Sequence, residues 1–278
     1  MPVRLDALSL RAQDPARLAR FWHELLGGDA VRERAAGEYE FTPATNPGLP
    51  LRFLPGAAPK ASQNRQHFDL TSESPADQEA TVARALALGA RHTDIGQRPE
   101  EGHRVLADPE GNEFCVIEPG NNFLAGCGRV GALACDGSHA VGVFWSEALG
   151  WPLVWDEGEE TAIQSPDGGT KFTWGGPPLM PREEPDRFTP ELLPGPRAAH
   201  GDGSADRGGT GGGGGTAHAD GTAHADRTAH EAETAHEAEA ARLLSLGARL
   251  RAREAGHTLF TDPDGNPFRL LTGRSPRG

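Results

Sequence analysis

The stretch Phe21-Trp22-His23-Glu24-Leu25-Leu26-Gly27 is repeated, with small changes, as Phe144-Trp145-Ser146-Glu147-Ala148-Leu149-Gly150. A second stretch, Asp108-Pro109-Glu110-Gly111-Asn112, returns as Asp262-Pro263-Asp264-Gly265-Asn266. Between them lies a third pair, at 86–91 and 244–249. Three blocks repeated in the same order predict a duplicated domain, and this repeat determines the architecture before any function is considered.

The composition excludes several classes of protein. A chain of 278 residues has room for two ordinary domains. Its formal charge of -13 argues against nucleic acid or an anionic membrane as partner. No apolar run approaches about 20 residues, and no secretory signal is expected at its start. The three cysteines, Cys115, Cys127 and Cys135, are odd in number and lack metal-finger spacing, which predicts a reduced, cytoplasmic protein.

The first half predicts the element order β-α-β-β-β twice. A strand over 3–11 alternates apolar and polar residues, and Asp14 then suits the start of a helix that ends at Gly27. A second round begins with a strand over 65–70. The second half repeats the order, with a helix over 138–149. The Asp-Pro-x-Gly-Asn stretches lack the spacing of a calcium loop, so we interpret them as turns.

One segment of the second half, about 197–229, departs from this order. A run of glycines there is followed by four hexapeptides that each contain a histidine, which predicts a disordered insertion. The strand expected at 197–202 lacks apolar residues and is predicted to be frayed or absent. From about Thr228 the chain should form a helix. Histidines six residues apart spread around a helix, which disfavours one tight metal site but leaves loose capture of Ni, Cu or Zn open.

These motifs together resemble the vicinal oxygen chelate superfamily, and above all its glyoxalase-like domain branch (the glyoxalase, bleomycin resistance and dioxygenase family). The resemblance implies an α+β fold of two tandem domains, about 1–122 and 127–278. Each domain would consist of paired β-α-β-β-β modules that curl a mixed sheet into a cup. A metal, where such proteins have one, is held in the cup by His, Glu or Gln from three strands.

The resemblance places the metal-ligand positions on residues that are mostly unsuited to metal. In the first domain they are Ala7, His67 and Cys115. A register slip that exchanges Ala7 for Asp6 stays open. In the second domain they fall near Val130 or Gly131, at His200 and at Arg269, and an arginine cannot ligate a metal. No metal or other cofactor is therefore expected in either domain, and His67 is only a weak candidate ligand for a divalent ion.

Four residues are candidates for ligand binding: His67, Asp69, Cys115 and Trp174. Asp69 shares a strand face with His67 and is placed to orient its ring or to meet a ligand. Each residue also has a structural interpretation, as a hydrogen-bonded histidine, a loop-capping carboxylate, a small buried thiol or a core aromatic. The missing partner ligands favour the structural interpretation of His67, and Cys115 is interpreted first as a small buried thiol.

The leading hypothesis is a glyoxalase-like protein that binds a small organic molecule without a catalytic metal. The alternative is a metal-dependent lyase, isomerase or dioxygenase that uses His67, so whether the chain is an enzyme stays open. A third hypothesis is a scaffold whose insertion contacts a partner. The sequence predicts no nucleic-acid or membrane partner and leaves a homodimer open.

Overall fold

A computed structural model describes residues 3–46, 48–98, 100–195 and 220–273. It contains four β-α-β-β-β modules. Module one contains β1 (Arg4–Ala12), α1 (Pro15–Leu26), β2 (Arg32–Ala35), β3 (Glu38–Phe41) and β4 (Leu51–Pro55). Module two contains β5 (Gln66–Leu70), α2 (Pro75–Ala87), β6 (Arg91–His92), β7 (Arg104–Ala107) and β8 (Glu113–Val116).

The second half repeats this order after a short 3₁₀ turn, Asn122–Leu124. Module three contains β9 (Val130–Cys135), α3 (His139–Leu149), β10 (Leu153–Glu157), β11 (Glu160–Ile163) and β12 (Lys171–Trp174). Module four contains β13 (Phe188–Leu193), α4 (Asp220–Ser245), β14 (Arg249–Glu254), β15 (His257–Thr261) and β16 (Pro267–Leu271). The α+β class and the duplication predicted from the sequence are confirmed.

The helices begin where side chains satisfy the free backbone amides. Asp14 accepts a hydrogen bond from the amide of Arg17 at the start of α1, and Ser74 accepts one from Asp77 at the start of α2. The helix α3 ends at Gly150, whose φ of 68° lies in the left-handed region that glycine tolerates. Local sequence therefore explains these helix ends.

The strands form two eight-stranded sheets, and each sheet takes modules from both halves of the chain. The first sheet has the order β14-β15-β16-β13-β1-β4-β3-β2, so module one pairs with module four. The second has the order β10-β11-β12-β9-β5-β8-β7-β6, so module two pairs with module three. The expectation of a sheet built within each domain is thus wrong. Both sheets are open, with two edge strands each.

One hydrophobic core joins the two sheets. Trp22 of α1 contacts Phe68 and Phe114 of the second sheet, with ring centroids 5.3 and 5.1 Å apart. Phe68 in turn meets Phe188 of the first sheet at 5.2 Å. The duplicated Trp145 lies equally in the core. Aromatic residues from both halves therefore hold the two sheets together.

The two Asp-Pro-x-Gly-Asn stretches are turns, as predicted, and each is tied to the core. The carboxylate of Asp108 accepts hydrogen bonds from the amide and side chain of Asn112 and, at 3.3 Å, from the indole of Trp22. Asp262 accepts the matching hydrogen bond from Trp145 at 3.2 Å. Both carboxylates are fully buried, so these turns act as internal anchors.

The fourth module corrects two expectations. Its first strand is β13, at Phe188–Leu193, and the segment 197–202 predicted for it lies outside the described residues. The insertion follows β13 in the chain. The helix α4 begins at Asp220, inside the segment predicted to be disordered, because the hexapeptides are rich in alanine, the best helix former. Within the described part of the chain, no helix has the length and apolar character to span a membrane.

Candidate functional site on the second sheet

The candidate site lies on one face of the second sheet, at its centre. His67 and Asp69 are two residues apart on β5, so their side chains project from the same face. The Nε2 atom of His67 lies 3.3 Å from the Oδ1 atom of Asp69, which makes an ion pair when the imidazole is protonated. Their side chains are 26% and 18% exposed, so both can be reached from solvent.

Cys115 completes the cluster from the neighbouring strand. It lies opposite Asp69 in the parallel pairing of β5 with β8 and is buried. The ligand-type atoms of His67, Asp69 and Cys115 all lie within 4.8 Å of one another. Three of the four residues proposed from the sequence are therefore brought together.

The cluster favours a protonated histidine beside a neutral thiol. Burial lowers the pKa of His67, but the carboxylate of Asp69 and the sulfur of Cys115 outweigh this and raise it to about 10. Burial raises the pKa of the Cys115 thiol; the neighbouring His67 lowers it, but burial and the charge of Asp69 outweigh this. At neutral pH the site thus presents an imidazolium paired with a carboxylate.

Apolar side chains extend this face of the sheet. Val105, Cys115, Ile117, Leu124 and Ala132 form a cluster separate from the main core. Leu124 belongs to the 3₁₀ turn between the two halves, so this linker packs onto the same face. The polar His67–Asp69 pair therefore sits beside an apolar surface, which is the usual composition of a small-molecule site.

The linker is held on this face by aromatic and charged contacts. The amine of Lys171 donates a hydrogen bond to the carbonyl of Phe123 and lies 5.0 Å from the centre of its ring. Phe123 also meets Trp155 edge-on at 5.4 Å. The sequence analysis missed Lys171 and Phe123. Nothing in the sequence marks Phe123 as a contact of Lys171, because the two are distant in the chain.

Trp174 does not join the cluster. Trp174 and Phe172 project from the same face of β12 and are buried in the main core, whereas Lys171 projects from the opposite face. The strand paired with β5 on its other side, β9, offers only Ala134 opposite His67 and Ala132 opposite Asp69. The facing module thus adds no polar group at these two positions.

A family model described as "Glyoxalase-like domain" matches residues 7–117 and 131–271. The chain belongs to the glyoxalase-like domain family. Glyoxalase I from Zea mays has a similar structure, with a TM-score of 0.58 and 13% identity over 97% of this chain and 92% of that one. A putative dioxygenase from Bacillus subtilis gives a TM-score of 0.51 and 14% identity over 99% and 86% of the two chains. At this identity the likeness establishes the fold alone. No curated protein matches the sequence.

In this glyoxalase-like protein, the first sheet carries a buried ion-pair network where the second carries the His67 cluster. Arg52 contacts Glu191, Glu40 and Asp6 at 2.5, 2.5 and 2.7 Å. Arg269 reaches the other oxygen of Glu191 at 2.9 Å. The strand pairings correspond: Glu191 on β13 lies opposite Ala7 on β1, as Ala134 on β9 lies opposite His67 on β5.

The structure separates the ligand positions that the resemblance assigned to the first domain. Asp6 and Ala7 lie in the first sheet and His67 in the second, so neither can share a site with His67. Arg269 is engaged with Glu191 and with the hydroxyl of Ser9 at 3.1 Å. His200 lies outside the described residues. The first sheet therefore shows paired charges at its centre, which do not suit a metal.

Proposed function

We propose that this protein binds a small organic molecule on the face of the second sheet that carries His67, without a resident metal. The observation that carries the proposal is the meeting of the His67–Asp69 ion pair with the apolar cluster around Ile117. A protonated imidazole donates hydrogen bonds but has no free electron pair for a metal. It would orient the ligand's polar end, and the apolar side chains would hold its body.

The first sheet supports a single ligand site per chain. Its corresponding face is occupied by Arg52, Glu191 and Arg269, whose charges already satisfy one another. A ligand would have to break these buried pairs, which costs several kcal/mol when one partner is left alone. The His67 face has no such competition, because His67 and Asp69 remain partly exposed.

A second candidate is a metal-dependent enzyme of the same superfamily that uses His67. It is favoured by the three donor atoms within 4.8 Å, since nitrogen, oxygen and sulfur ligands together suit Zn²⁺. His67, Asp69 and Cys115 would hold the ion, which would supply a Lewis acid when bound. This requires both His67 and Cys115 to lose protons that their surroundings favour.

Metal content and cobalt spectroscopy separate the two candidates. We expect natively purified protein to contain no stoichiometric divalent ion, and Co²⁺ to give no thiolate charge-transfer band at neutral pH. Cys115→Ser tests the origin of any band, with Cys127→Ser as its matched control. One tightly held ion per chain that disappears in His67→Ala would overturn the proposal and favour the enzyme.

Ligand binding is tested with a fragment library and protein-observed NMR. We expect hits whose shifts centre on Asp69, Cys115 and Ala132. Ala134→Trp should remove them, because Ala134 lies opposite His67 in the sheet and an indole there would cover it. Val154→Trp, an exposed strand position on β10, is the control and should bind normally. Hits that persist in Ala134→Trp would contradict the proposed location.

A further inference from the structure

One buried lysine of the second sheet has no counter-ion. The chain has two lysines, Lys60 and Lys171, and Lys60 pairs with the carboxylate of Glu113. Lys171 is only 9% exposed, and its ammonium forms no ion pair within the described part of the chain. Its partner is the neutral carbonyl of Phe123. A buried charge without an opposite charge is costly, so an anion that pairs with Lys171 gains from an interaction the fold lacks.

Lys171 projects from the face that carries the His67–Asp69 pair. On β12 it lies opposite Ala132 of β9, and Ala132 lies opposite Asp69 of β5. Residues directly opposite each other in a sheet project from the same face. Phe123 connects the two groups, because it contacts Lys171 and packs against the separate apolar cluster of this face. The charge of Asp69 is compensated by the imidazolium of His67, which leaves Lys171 as the uncompensated charge beside it.

A shallow trough lies beside Lys171 on this face. Five residues, one from each of five neighbouring strands, form a row across the sheet: Trp155, Ala162, Thr173, Ala134 and His67. A ring stands at each end of the row, and the three side chains between are short. Four strand spacings, about 19 Å in all, separate the two ends. Thr173 and Ala134 are partly exposed, so an organic molecule has room on this floor, two residues along β12 from Lys171.

The 3₁₀ turn of the linker lies over Lys171 and is held there by a partner that a ligand can replace. The turn is flanked by Gly120 and Gly126, with φ values of 81° and 77° and no atom within 4 Å of an added Cβ. Glycine adopts both signs of φ, so the chain on either side of the turn can rotate without steric obstruction. A carboxylate binds an ammonium more strongly than a carbonyl does, and it can therefore displace the carbonyl of Phe123.

We propose that the second sheet binds an organic carboxylate with an apolar body, and that the carboxylate replaces the carbonyl of Phe123 as the partner of Lys171. The body lies in the trough over Thr173 and Ala134, and its far end faces His67. A carboxylate has the single charge that one ammonium compensates, whereas a phosphate monoester carries nearly two. This site deepens the proposed function and rests on it in placing the ligand on the His67 face; Lys171 adds the selection of the chemical class.

Two ligands of equal size and shape test the chemical class. 3-Phenylpropionate and 3-phenylpropanamide differ in charge alone. We expect the carboxylate to bind the full-length protein about tenfold more tightly than the amide, as for a hydrogen bond between charged groups. NMR should show shifts at Thr173 and Ala134 and loss of the ring contact between Phe123 and Trp155. Equal affinities, or binding of neither at millimolar concentration, would overturn the proposal.

A charge-removing variant tests the residue. Lys171→Met keeps the length of the side chain and should lower the affinity for the carboxylate to that for the amide. Arg249→Met is the control, because Arg249 is exposed on β14 of the other sheet and its loss changes the net charge equally. Both affinities should stay unchanged in this control.

The stability of Lys171→Met separates a binding role from a structural one. Without ligand, the variant should resist thermal unfolding at least as well as the wild type, because it removes a buried charge that has no counter-ion. A variant that unfolds more easily and still prefers the carboxylate would assign Lys171 to the fold alone. Failure of the variant to fold would contradict the proposal as well.

The variant Ala134→Trp separates failure of the carboxylate assignment from failure of the proposed function. If fragments bind the wild type and are lost in Ala134→Trp, while ligand charge and Lys171→Met make no difference, the proposed function stands and the carboxylate is wrong. If no fragment of any charge binds this face, both are wrong. Loss of 3-phenylpropionate binding in Ala134→Trp and in Lys171→Met supports both.

Discussion

At the level of single residues, the charge of the site depends on one distance, the 3.3 Å between His67 and Asp69. The carboxylate and Cys115 raise the pKa of His67 to about 10, from 6.5 in an unstructured chain. Because the folded state binds the His67 proton more tightly than the unfolded chain does, the protonated imidazole stabilises the fold, and this contribution is complete below pH 6.5. This contribution is then lost as the pH rises through 10.

Asp69→Asn tests this directly. Without the carboxylate, burial acts with less opposition, so the pKa of His67 should fall toward or below its ordinary value. The pH dependence of stability between 6.5 and 10 should become flatter. Imidazole chemical shifts followed by NMR give the pKa, and urea unfolding at several pH values gives the stability.

The control for Asp69→Asn is Asp156→Asn, which removes the carboxylate 2.8 Å from His139 and should leave the titration of His67 unchanged. A His67 pKa that is the same in wild type and Asp69→Asn would show that the ion pair does not determine the charge of the site.

At the level of elements, one histidine of the hexapeptide repeat fastens α4 to the first sheet. His236 is buried, and its ring nitrogens lie 2.8 Å from the hydroxyl of Thr258 and 3.2 Å from the carbonyl of Leu271. His230, one repeat earlier, is exposed. The two residues have the same local sequence, so only their position on the helix distinguishes them.

His236→Ala should lower the free energy of unfolding by about 2–4 kcal/mol, because it opens a cavity and leaves two buried polar groups unpaired. His230→Ala, the matched control, should change it by less than about 0.5 kcal/mol. Chemical denaturation followed by circular dichroism measures both. Equal effects would mean that the repeat contributes through its composition alone.

The elements also show which parts of the fold the sequence could predict. The helix start at Asp14 and the turns at Asp108 and Asp262 depend on neighbours in the chain, and they were predicted. The strand β13 was missed because it contains Pro190, which lacks the amide that a central strand uses. Its alternation of Thr189 and Glu191 with buried Phe188 and Leu192 was the available signal.

At the level of the whole molecule, strand pairing decided which candidate residues could meet. The local patterns of a module are the same whether β5 pairs within its own half or with β9, so the sequence could not choose. Its prediction that His67 and Asp69 share a face depended only on strand alternation, and the structure has them 3.3 Å apart. The proposed meeting of His67 with Ala7 or Asp6 depended on pairing, and it was wrong.

The pairing across halves makes a prediction about fragments. If the chain is divided into 1–126 and 127–278, the first fragment loses β13 beside β1 and β9 beside β5. In this fragment β1 and β5, which are central strands of the intact sheets, become exposed edge strands. Exposed edge strands tend to pair with other chains. We therefore expect 1–126 alone to self-associate or aggregate, and the two fragments expressed together to form a 1:1 complex.

Size-exclusion chromatography with light scattering distinguishes the outcomes. If the two fragments are folded monomers that do not associate, each half completes its own sheet, contrary to the pairing of β1 with β13 and β5 with β9. A 1:1 complex should also restore the His67 face, because Ala132 and Ala134 come from the second fragment. The His67 pKa is not a readout of the complex, because Asp69 and Cys115, which raise it, both belong to the first fragment. The sharper readout is an NMR contact between β5 and β9, which only the complex can show.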